Sequence, residues 1–257
     1  MKLSSLFLTL AAATLALTGC KKEKGPETGA MSIEMEHVVG SAALKLNPST
    51  TAFDYVNSAS SEAFNVTTFR YYVSNVKLQR ADGTEYAQPD SYYLVDESLP
   101  ATKKLTLKDV PAGDYTGLSF MVGVDAPHNT AGAQQGVLAP SDMFWSWSSG
   151  YIFLKMEGYS LAAPANHALV FHIGGFADPN NAIRTIKPAL PAGVKLLVRA
   201  DHAPEVHMKV DVMKMFVGPN AVQFSTFTLP HMPGGSAMKV ADNYAAGMFE
   251  VEHVHAN

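Results

Sequence analysis

The run VTTFRYYVSNVKLQ at residues 66–79 constrains the fold more than any other stretch of the chain. Phe69, Tyr71 and Val73 alternate against Arg70, Tyr72 and Ser74, the period of a strand with one apolar face. Val76 and Leu78 resume on the opposite parity, which predicts a bulge or bend near Ser74 and Asn75. Asp82-Gly83 then reads as a hairpin turn. Further short strand patterns occupy 33–39, 92–95, 104–107, 115–124, 151–154, 168–175, 194–200 and 207–212. Turns rich in Gly and Pro, such as Pro111-Ala112-Gly113-Asp114, separate them. The pattern predicts an all-β chain, an antiparallel β-sandwich with one or two short helices near the C-terminal part, at 212–217 and 238–249. No repeat or coiled-coil period is present.

Residues 1–19 read as a lipoprotein signal peptide. Lys2 is its basic head, 6–17 its apolar stretch, and the whole is too short to span a bilayer as a helix. Leu17-Thr18-Gly19-Cys20 resembles a bacterial lipobox, and Cys20 is the only cysteine of the 257 residues. Its position favours lipidation over a free thiol, so the expectation is a protein tethered to a membrane through an N-terminal lipid. Lys21 and Lys22 are not an inner-membrane retention signal of the aspartate kind, which points to the outer membrane, facing periplasm or cell surface. Residues 20–31 read as a flexible tether, and 32–257 as a single sandwich domain. A net charge of −4 offers no basic footprint for nucleic acid.

The richest chemistry lies at 143–158, MFWSWSSGYIFLKMEG, which contains both tryptophans, Trp145 and Trp147. Two apart, they share one face of a strand. Either they pack in a sandwich core or they border a tuned site. Nine histidines and twelve methionines supply imidazole and thioether, a donor set suited to copper, although both residue types also serve cores and surfaces. His37 follows Glu36 in the first strand. His172 ends a strand before two glycines, where burial would favour the neutral, metal-binding imidazole. His253 and His255 would share one face of a terminal strand and chelate together, or fray. His202 and His207 are five apart across Pro204. His128 lies in a long loop at 125–140 and could close over a site. Asp96 and Asp125, at strand ends, could hold a ligating histidine by its second nitrogen. Gly-x-Ser-x-Gly, His-Glu-x-x-His and haem-attachment motifs are absent from the sequence. A non-enzymatic metal-binding protein is therefore the first reading. The alternative is a surface lipoprotein for adhesion or another ligand, with structural histidines and aromatics.

Several blocks occur together: Glu36-His37, Tyr71-Tyr72-Val73-Ser74-Asn75, Leu94-Val95-Asp96, Pro111 to Tyr115, Gly123-Val124-Asp125 with Asn129, the tryptophan segment with Gly150-Tyr151, and Phe171 to Gly175. In this order, over 34–255, they resemble the MbnP-like copper-binding protein family. That resemblance implies a role in copper acquisition or homeostasis outside the cytoplasm. It further implies a di-haem MbnH-like partner of the bacterial peroxidase type, which oxidises a tryptophan to kynurenine beside a copper site with histidines. His37 and His172 match the motif histidines, and Trp145 or Trp147 would be the oxidised residue. The expectation is that His37, His172 and one of the two tryptophans converge.

Overall fold

The computed structural model describes residues 27–132, 134–146 and 148–255; the signal-peptide and Cys20 readings and Trp147 lie outside them. The first strands are β1 (Thr28–Val39), β2 (Ala42–Ala43), β3 (Tyr55–Val56), β4 (Ala63–Arg80), β5 (Glu85–Ala87), β6 (Tyr92–Asp96), β7 (Lys104–Pro111) and β8 (Gly113–Val122). Helix α1 (Ala126–Thr130) follows, then β9 (Phe144–Ser146), β10 (Gly150–Tyr159), β11 (Ala168–Gly174), β12 (Arg184–Ile186), β13 (Leu196–Val198) and β14 (Glu205–Asp211). A 3-10 turn at Val212–Met215, helix α2 (Gly235–Gly247) and β15 (Phe249–His255) complete the described chain.

The strands form two curved sheets. The first runs β15-β14-β1-β2, with β7 also paired to β1; the second runs β11-β10-β4-β8-β12, with the remaining short strands attached to β4, β8 and β10. β4 is the spine of the second sheet and bends where expected. Its ladder with β8 shifts between Ser74 and Lys77, and Asn75 takes a left-handed φ of 52°. The bend lets Phe69 and Tyr71, then Val76 and Leu78, all be buried despite their different parity.

Alternation sets what each sheet buries. Met31, Ile33 and Met35 of β1 and Val206, Met208 and Val210 of β14 face inward, as do Leu169, Phe171 and Ile173 of β11. Rings join the two sheets: Phe249 of β15 lies 5.8 Å from Tyr71 and 5.3 Å from Phe120, centroid to centroid. Each such buried ring contributes on the order of 2 kcal/mol through area removed from water.

Three features depart from the expected architecture. β1 begins at Thr28, inside the stretch read as tether, because its residues pair with β7. β1 and β14 pair in parallel, so the sandwich is not purely antiparallel. Helix α1 falls in the segment read as a loop, ahead of the C-terminal part where the other helix lies. Asp125 caps it, its side chain accepting from the His128 N–H, and Pro127 occupies the first turn, where a missing N–H costs nothing.

Candidate metal centre

A row of ionisable side chains crosses the outer face of the first sheet. Along β14, Val206, Met208 and Val210 point inward, which turns Glu205, His207 and Lys209 outward. Along β15, Phe249 and Val251 point inward. Strict alternation would send His253 and His255 inward as well. A β-bulge prevents it: Met208 pairs with Val251 but His207 with His253, so Glu252 is an extra residue and the parity inverts. His253 and His255 therefore emerge beside His207.

The three imidazoles are close. The ring of His207 stacks on His253 at 4.3 Å with an interplanar angle of 16°, and lies 4.6 Å from His255. Nε2 of His253 and Nε2 of His255 are 2.9 Å apart. One donor atom from each of the three residues falls within a 4.8 Å group, and the same limit holds for Glu34, Glu205 and His207. Nε2 of His207 is buried and makes no hydrogen bond. Glu205 Oε1 and Glu34 Oε2 stand 3.5 and 3.7 Å from it. A buried ring nitrogen without a hydrogen bond is costly in a closed core, and a metal ion could supply its partner. Glu205 is itself oriented: its Oε2 accepts from Ser32 Oγ at 3.1 Å and contacts Lys104 Nζ. The Lys104 ammonium holds the Glu205 carboxyl down to about 2, well below its ordinary range.

The spacing of His253 and His255 marks them as a chelating pair, whereas proximity in sequence sets His207 beside His202 and gives no signal for Glu34 or Glu205. The strand alternation of His207 was the available signal; its neighbour on β15 was not.

His37 and His172 do not meet. His37 points into the core, with its ring 5.1 Å from Phe69 and 5.6 Å from Tyr71. Its Nδ1–H donates to Glu97 Oε2 at 2.6 Å, and Tyr71 O–H donates to its Nε2 at 2.9 Å, so both ring nitrogens are occupied. Glu97 is in turn bound by Lys103 at 3.0 Å. His172 alternates with buried Phe171 and Ile173 and so faces the outer side of the second sheet, where its Nε2–H donates to Glu157 at 2.8 Å. Trp145 is half-buried and lies over Gly174, two residues from His172 along β11; a Cβ there would meet Trp145 Cζ3 at 2.6 Å. The tryptophan and His172 thus share one outer face, His37 the core, and the three-imidazole group the opposite outer face.

Burial lowers both His37 and His172 below the ordinary 6.5, although Glu97 and Glu157 pull the other way. The unfolded chain then binds more protons than the folded one just below pH 6.5, so stability falls as pH falls from 6.5 toward the lowered values. Urea denaturation with chelator present, between about pH 7 and 5.5, should show this loss, and His172→Gln should make it shallower. An unchanged slope in that variant would refute the assignment for His172.

Asp125 does hold a histidine, though on another face. Its Oδ1 accepts from His128 Nδ1–H at 2.7 Å, while Asn75 Nδ2 donates to Oδ2 at 2.9 Å and Tyr92 O–H also donates there. Burial pushes this carboxyl up, but those donors outweigh it and hold it near 2. The group borders a cavity of about 680 Å³ also lined by Met121 and Lys187. Asp96 is structural: it pairs with Arg70 Nε at 2.8 Å and accepts from Ser98 Oγ at 2.6 Å.

Comparison with known proteins bears on the whole arrangement. No curated protein matches the chain. The solved structure of MbnP from Methylosinus trichosporium has the same fold, with a TM-score of 0.55 and 18% identity over 81% of this chain and 83% of that one. The MbnP family matches residues 28–238, from the first residue of β1 into α2, and stops short of His253 and His255. With most of the sandwich inside that match, the chain belongs to the MbnP family of copper-related, non-catalytic proteins.

Proposed function

We propose that this protein holds copper outside the cytoplasm, in acquisition or homeostasis, and that His207, His253 and His255 bind the ion. The observation that carries the reading is the buried Nε2 of His207, which has no hydrogen bond and belongs to a ring packed against two more imidazoles. Imidazole serves both oxidation states of copper, and the chain has no cysteine beyond Cys20 to offer instead. Tethering to the outer membrane through lipidated Cys20 belongs to the same proposal. So does oxidation of Trp145 or Trp147 by a di-haem partner, which the half-buried position of Trp145 on an outer face supports. Because that face lies across the sandwich from the three imidazoles, the modification and this copper site are separate in the proposal.

Copper titration of protein made with and without the partner tests it. Wild type, His37→Ala and His172→Ala should each bind one equivalent at this centre, and His253→Ala/His255→Ala should not. Intact mass of the same preparations reports tryptophan oxidation. Retention of all copper by the double variant, with loss in His37→Ala or His172→Ala, would move the site to the motif histidines.

A further inference from the structure

We infer that Glu205 is a fourth ligand of the three-imidazole centre and makes it a site for divalent copper in preference to monovalent copper. This rests on the reading that His207, His253 and His255 bind the metal.

Four strands bring two groups of donors together at His207, which belongs to both. β7 supplies Lys104, β1 Ser32 and Glu34, β14 Glu205 and His207, and β15 the other two histidines; the registers place Ser32 opposite Glu205, Glu34 opposite both His207 and Lys104, and His207 opposite His253. The two oxygens of Glu205 are used differently. Oε2 is held by Lys104 and Ser32, and Oε1 is left turned toward His207 Nε2 at 3.5 Å. Two neighbouring donors of a tetragonal ion, each about 2.0–2.1 Å from it, are separated by roughly 2.9 Å. Glu205 Oε1 and His207 Nε2, 3.5 Å apart, need only a small side-chain adjustment to reach that spacing. Outer groups that hold the far side of a ligand are the usual means of fixing its direction, and Lys104 and Ser32 stand in that position.

The charge balance points the same way. Glu34 and Glu205 lie within the same 4.8 Å group as His207, and Lys104 is the cation in contact with Glu205. Lys209, the next outward residue of β14, is committed to Glu250 at 2.6 Å and Glu252 at 3.8 Å. Two neighbouring carboxylates against one ammonium leave a negative site, which a dication neutralises better than a monocation. The thioethers of Met35 and Met208, on the two central strands, are turned into the core and away from the set. Three imidazoles and a carboxylate form a hard-to-borderline donor set, whereas monovalent copper is selected by sulfur.

The test is a titration of the full chain with Cu(II) in air and with Cu(I) under reductant against a competing chelator. Wild type, Glu205→Gln and Glu36→Gln are compared, the last removing the same charge from the same outer face of β1. Wild type should bind Cu(II) more tightly than Cu(I). Glu205→Gln should weaken Cu(II) by roughly tenfold or more, shift its electron paramagnetic resonance spectrum, and leave Cu(I) within about twofold. Glu36→Gln should change neither. Tighter Cu(I) than Cu(II) in wild type overturns the inference and leaves the three-imidazole centre standing. So does a Glu205→Gln protein with the wild-type affinity and spectrum, or an equal loss in Glu36→Gln. Failure of wild type to bind either ion at this face overturns the centre itself.

Discussion

Copper at about a thousandfold excess over its dissociation constant is expected to raise the unfolding free energy of wild type by about 4 kcal/mol. For a domain of this size that is a rise of roughly 10 °C in melting temperature. The reason is positional. β15 is the edge strand of its sheet and joins it only through β14. An ion held by His207 on β14 and by His253 and His255 on β15 would tie that edge to the interior strand, and no such centre exists in the unfolded chain. His207→Ala should lose nearly all of the stabilisation, because it removes the one ligand on β14 from among the three imidazoles. Its stability in chelator should stay close to wild type, since the side chain is on the outer face of the sheet and its buried nitrogen makes no hydrogen bond. Urea melts with copper and with chelator measure both quantities. Equal stabilisation of wild type and His207→Ala would dismiss the centre.

Asn129→Ala is expected to cost roughly 3 kcal/mol or more in chelator, the largest loss predicted for a single polar side chain here. Asn129 is fully buried and acts as a clasp between α1 and the tryptophan segment. Its Nδ2 donates to the Val124 and Asp125 carbonyls at 2.6 and 3.0 Å, and its Oδ1 accepts from the Tyr151 N–H at 2.9 Å. Alanine leaves the Val124 carbonyl and the Tyr151 N–H without these partners in a dry interior. Gly150 is part of the same fit: it sits at φ +75°, and a Cβ there would come within 2.1 Å of Asn129 Oδ1. Because the clasp lies on the second sheet, tryptophan emission should change in Asn129→Ala while copper affinity at the three-imidazole centre does not. Loss of copper with unchanged emission would contradict that separation.

Local patterns in the sequence carry much of the fold. Alternation at 66–79 gave β4 its span and its bend, because side-chain period and parity are properties of neighbouring residues. The turn at Asp82-Gly83 and the helix before Gly247 were legible for the same reason. The direction in which β1 meets β14 was not. A parallel pair joins segments that are 173 positions apart at Ser32 and Glu205, and nothing local to either strand encodes its partner.

The histidines show the same division. His253 and His255 declared a shared face by their spacing alone. That this face is outward depended on the bulge at Glu252, and that His207 lies beneath it depended on the β14–β15 register. His37 and His172 looked alike as single histidines beside apolar residues. The tertiary structure separated them: Tyr71 and Glu97 occupy both nitrogens of His37 in the core, and β11 turns His172 to the far surface. The sequence by itself determined most of the longer strands, several of their turns and which residue types could hold copper, since these are matters of local period and donor chemistry. Only the tertiary structure decided which of those donors meet, because a metal site is assembled from strands distant in sequence, and one residue of register moves a side chain to the other face.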